Sequence, residues 1–116
     1  MLPRIVVCAD DPVIELDILE TIRRARPDTE IEVCGSDGAL YSALDQSVER
    51  TIVITESENV GEDLLGRLRA ADHLRHIHFG DGEDLPDAVF VPLPFRSEDV
   101  VRALRAVGFD PDAQGA

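Results

Sequence analysis

The sequence predicts a single α/β domain built on a parallel sheet. Three observations carry this. Short apolar, β-branched runs recur at residues 5–9, 51–55 and 88–91. Amphipathic stretches at helical spacing separate the runs. The chain has 116 residues, a length at which one core can bury roughly two-thirds of the unfolded surface. Alternating strands and helices imply right-handed crossovers and a parallel sheet. In such sheets, function gathers beyond the carboxyl ends of the strands.

The first run, Ile5-Val6-Val7-Cys8-Ala9, has the unbroken apolar character of a strand covered on both faces. Asp11-Pro12 follows. Asp is a good N-cap and Pro suits the first helical position, so a helix starts here. Val13, Leu16, Ile18, Leu19 and Ile22 supply its helical spacing, and Pro27 ends it. Residues 30–34 alternate like a short edge strand. Ser36 or Asp37 caps a short helix carrying Ala39, Leu40, Ala43 and Leu44.

Residues 51–55 form the third strand and run into Glu56. Leu64, Leu65 and Leu68 mark a helix over 61–71. Residues 76–79 and 88–91 give the fourth and fifth strands. Only eight residues, 80–87, with two glycines and a proline, lie between them, too few for a regular crossover helix. Ser97 caps the last helix, whose buried stripe is Val100, Val101, Leu104 and Val107. Gly108 is its C-cap. The domain is expected over 1–109, with 110–116 an unstructured acidic tail.

Composition narrows the function. There are 24 acidic residues against 11 basic ones, a formal net charge of −13, and every basic residue is arginine. A GC-rich genome explains the arginine bias. A salt-adapted organism explains the acidity as well, because salt screens the self-repulsion. Phosphate-backbone binding needs a basic stripe, and none is present, so nucleic acid is not an expected direct partner. Arg23, Arg24 and Arg26 sit where cations complement a helix dipole. No run reaches the ~18 apolar residues of a membrane span, and no signal-peptide pattern opens the sequence. A cytoplasmic location follows. Cys8 and Cys34 read as small buried hydrophobes.

The strand ends carry the functional signal. They are Asp10 and Asp11, Glu56, Gly80 and Asp81, and Leu93. In this order and spacing, Ala9-Asp10-Asp11-Pro12, Ile52-Val53-Ile54-Thr55-Glu56 and Leu93-Pro94-Phe95 resemble the receiver domains of response regulators. The likeness covers almost the whole chain. It implies a flavodoxin-like fold with five parallel strands in the order 2-1-3-4-5, here with the helix between strands 4 and 5 shortened or missing.

The resemblance also implies which residues have changed. Glu56 stands at the phospho-accepting aspartate, and a register one residue earlier puts Thr55 there. Ala9 replaces the first acid of the magnesium-binding pair, and Asp10 keeps the second. Gly80 stands where the family has a hydroxyl residue, and Leu93 replaces its lysine. Glu is one methylene longer than Asp, and in-line phosphoryl transfer depends on positioning at that scale. The family's missing helix contributes to its output and dimerisation face, so that face is expected to be remodelled around Leu93, Pro94, Phe95 and Val101.

The expectation is a degenerate, non-enzymatic receiver that acts without phosphorylation, through a protein partner or a homodimer, with no required cofactor. Two alternatives stand beside it. One is a magnesium-dependent phosphoacceptor using Asp10, Asp11 and Glu56 as a weak Mg2+ pocket; against it, Asp11 serves only as a helix cap and Asp10 is only solvated. The other is a small-ligand or structural αβ module with its site elsewhere, such as His76 and His78. These two histidines share a strand face, and a His-x-His pair can ligate zinc. Packing beneath a helix is the competing reading, and Cys8 has no histidine base placed beside it by sequence.

Overall fold

The computed structural model describes residues 4–25, 27–46, 50–56, 62–80, 88–92 and 95–108. The strands are β1 (Arg4–Ala9), β2 (Ile31–Val33), β3 (Thr51–Glu56), β4 (Leu74–Phe79) and β5 (Ala88–Val91). The helices are α1 (Pro12–Ala25), α2 (Asp37–Asp45), α3 (Glu62–Ala70) and α4 (Ser97–Ala106). All pairings are parallel, and the order is β2-β1-β3-β4-β5. This is the predicted flavodoxin-like arrangement. No helix is described between β4 and β5, and residues 81–87 of that connection lie outside the described residues.

Strand alternation divides the core into two layers. Ile5, Val7, Ile52, Ile54, Ile77, Phe79 and Val91 face α1 and α4, where they meet Ile18, Leu19, Ile22, Val100, Ala103, Leu104 and Val107. Val6, Val53 and Leu74 face α2 and α3, with Leu40, Ala43, Leu44 and Leu64. The predicted apolar set of α1 is partly wrong. Val13 and Leu16 are 67% and 53% exposed. Helical geometry explains this: Ile14, Ile18 and Ile22 fall on one face at four-residue steps, and Val13 and Leu16 lie off it. Ile14 packs on the core in their place.

Caps fix the ends of the helices. The Asp11 side chain accepts the N–H groups of Val13 and Ile14 at 2.9 and 3.4 Å. Ser36 caps α2 through the Ala39 N–H at 3.2 Å. Ser97 does not cap α4; it is the first helical residue, and Arg96 is the cap. Asp99 sets that boundary by accepting the Arg96 N–H at 2.9 Å. At the other end of α4, the Arg50 guanidinium donates to the carbonyls of Val107 and Gly108, both at 3.3 Å. Gly108 has φ +89°, and an added Cβ there would collide with Arg50. The predicted C-cap glycine therefore follows the helix end in the left-handed region, with Val107 as the cap itself. β4 begins two residues earlier than the sequence suggested, because Leu74 pairs with Thr51 and is buried.

Candidate functional site

The site sits at the carboxyl ends of β1, β3 and β4. Register places Ala9 beside Glu56, and Glu56 beside Phe79. The Asp10 N–H donates to the Glu56 carbonyl at 3.0 Å, extending the β1–β3 pairing by one residue. The Asp11 N–H then donates to the Glu56 carboxylate, Oε1, at 2.9 Å. Glu56 thus holds the β1–α1 turn by both its backbone and its side chain. Asp11 in turn spends one carboxylate oxygen on the helix cap. Asp10 is exposed.

Thr55, at the neighbouring register position, points to the opposite face and is buried. Its hydroxyl lies between two rings of β4, 2.8 Å from His76 Nε2 and 2.7 Å from His78 Nδ1. Strand register explains the arrangement. Thr55 pairs directly with His78, and Val53 pairs with His76, so all four side chains share one face. A threonine hydroxyl can donate once and accept as well, so it can serve both rings. Both histidines are buried. Burial, and then the neighbouring His78, push the His76 pKa down from 6.5 to about 4, so His76 is neutral at pH 7. His78 also meets Phe90 edge-on, with ring centroids 6.1 Å apart.

Gly80 follows β4 with φ +111°, in the region that L side chains rarely adopt. Its N–H donates to the Val91 carbonyl at 2.9 Å. A hydroxyl-bearing residue at this position would strain the backbone. Phe95 stacks edge-on against Phe79 at 5.0 Å and packs against the α1/α4 core. Val101 is half-buried on α4. Leu93, Pro94 and Asp81 lie outside the described residues.

Oxygens of Asp11 and Glu56 are committed to backbone N–H groups. Among the described residues, no three His, Cys, Asp or Glu side chains converge as metal ligands. Sequence reasoning grouped Asp10, Asp11 and Glu56 at one edge. It did not foresee the Thr55 bridge, whose only sequence signal was the shared parity of His76 and His78.

Among the described residues, large exposed apolar side chains stand on three elements. Phe90, 38% exposed, stands on β5. Val13 and Leu16 of α1 and Val33 of β2 are the others. No described helix is long and apolar enough to cross a membrane.

No protein-family model and no curated protein matches this chain. Solved structures do. A response regulator receiver domain protein from Bacillus halodurans superposes with TM-score 0.70 at 14% identity, over 92% of this chain and 97% of the other. SdrG from Sphingomonas melonis gives 0.72 at 17%, over 91% and 96%. A CheY-like protein from Pseudomonas aeruginosa gives 0.55 at 20%, over 92% and 94%. The chain has the receiver fold.

Proposed function

We propose that this receiver-fold domain is a regulatory module that works by binding protein and is not switched by phosphorylation. The observation that carries this reading is the engagement of both residues at the acceptor register. The Glu56 carboxylate holds the Asp11 N–H. The Thr55 hydroxyl is buried between His76 and His78. An acceptor must reach the incoming phosphoryl group in line, and each of these side chains already serves a structural bond. The left-handed Gly80 removes a supporting hydroxyl by backbone geometry, and Leu93 provides no cation.

Binding is assigned to the sheet face at β5 that looks away from α4. Only residues 80–87 connect β4 to β5, and Phe90 stands exposed on the sheet face away from α4. An apolar side chain left uncovered there suits a protein partner or a second copy of the domain. The strongly acidic surface suits a partner face that is basic around an apolar centre.

The test combines a small phosphodonor, magnesium and intact mass. The expected result is an unchanged mass and no localised magnesium-dependent amide shifts at Asp10, Asp11 or Glu56. A stable gain of one phosphate overturns the proposal in favour of a working phosphoacceptor.

A further inference from the structure

Cys8 and Cys34 have no part in the arrangement described so far. Register brings them together. Val7 of β1 pairs with Val33 of β2, and the Cys34 N–H continues the ladder by donating to the Val7 carbonyl at 2.8 Å. The next step places Cys34 beside Cys8. Both side chains belong to the layer facing α2 and α3. In-register neighbours on adjacent strands lie ~4.8 Å apart, inside the Cα range that a disulfide spans but toward its short end.

The two thiols are not equivalent. Cys34 is buried, and Cys8 is partly exposed. Burial, then Glu32 and Cys8, push the Cys34 pKa up to about 11. The Cys34 thiol also points at Glu32, with Sγ 3.9 Å from Oε2. Glu32 is itself ion-paired to Arg4.

We propose that Cys8 and Cys34 are a reversible dithiol–disulfide pair that a hydroperoxide oxidises. Cys8 gives up its proton, its thiolate attacks one peroxide oxygen, the O–O bond breaks, and the departing hydroxide or alkoxide takes up that proton to leave as water or alcohol. Cys8 is then a sulfenic acid. The Cys34 sulfur attacks the Cys8 sulfur, the S–O bond breaks, and a second water departs. The Cys34 proton passes to Glu32 and on to the departing hydroxide. Two thiols are oxidised, and one hydroperoxide is reduced. A dithiol reductant returns the product to two thiols. The bond staples edge strand β2 to β1, two residues before the Asp10–Asp11 turn that Glu56 holds.

The test treats the full chain with a modest excess of hydrogen peroxide at neutral pH. The expected product is lighter by two hydrogens, has lost both thiols, and yields one linked peptide pair containing Cys8 and Cys34. Dithiothreitol restores the starting mass. Cys34→Ser traps Cys8 as a sulfenic or sulfinic acid, and Glu32→Gln slows closure so that sulfenic acid accumulates. The proposal is overturned by oxygen added at Cys8 of the native chain with Cys34 still a thiol. A covalent dimer as the main product also overturns it. So does a native chain left unreacted by peroxide that oxidises Cys8 in Cys34→Ser.

Discussion

The Glu56 carboxylate accepts the backbone N–H of Asp11 at 2.9 Å. The contact joins the end of β3 to the cap of α1, so a residue at a signalling position acts as a structural brace. Glu56→Ala leaves this N–H to water and costs about 1 kcal/mol, the net worth of an ordinary hydrogen bond and less than a buried charged one, because the site is partly exposed. Glu56→Asp shortens the reach by one methylene and loses most of the same contact. Urea unfolding measures both. A neutral result for both variants contradicts the brace.

Thr55 offers a larger effect. Thr55→Val keeps the shape but removes the hydroxyl between His76 Nε2 and His78 Nδ1. Two buried ring nitrogens then lose a partner, at a cost of about 2–3 kcal/mol. Thr55→Ser retains the oxygen, and the methyl it loses leaves a cavity worth about 1 kcal/mol. Valine should therefore be the worse of the two in thermal denaturation. A serine variant as unstable as the valine variant contradicts the bridge.

His76 gives the domain an acid-sensitive term. Its folded pKa, about 4, lies below the 6.5 of an unperturbed histidine. As pH falls through 6.5, the unfolded chain takes up a proton that the folded chain refuses. Stability is full above about pH 6.5, declines as pH drops, and levels off below about pH 4. The whole effect is about 3 kcal/mol. His76→Gln removes the term, so the stability gap between native and variant chains should narrow on acidification if the native is the more stable at pH 7. A gap constant from pH 7 to 4 refutes the shift.

Gly80 has φ +111°. Gly80→Ser restores a hydroxyl at the end of β4 but forces an L side chain into that region, at about 1–2 kcal/mol. Chemical denaturation should show the loss. Mass spectrometry after phosphodonor treatment should show no gain of phosphate in this variant.

Much of this architecture was legible in the sequence because its signals are local. Asp11-Pro12 and Ser36 announce helix starts through bonds made within three residues. The apolar runs announce strands, and their alternation with helices announces a parallel sheet. The site was less legible because it depends on register between strands. Thr55 meets His76 and His78 only once β3 and β4 are aligned. Glu56 reaches Asp11 only once β1 and β3 are aligned. The start of α4 was misplaced because Asp99 outcompetes Ser97, and that contest turns on side-chain reach.

The two-layer core has a consequence for synthesis. Every described buried apolar member of the α2/α3 layer has left the ribosome once Leu74 emerges. The α1/α4 layer waits for Val100, Ala103, Leu104 and Val107. A nascent chain at that point carries β1–β3 backed by α2 and α3 on one side, while on the other α1 alone covers Ile5, Val7 and Ile54 until α4 arrives. Domains gain protection as units during translation, and here that protection arrives with the last described helix. A ribosome stalled before Val107 should display a sticky, chaperone-binding sheet face, and release of α4 should hide it.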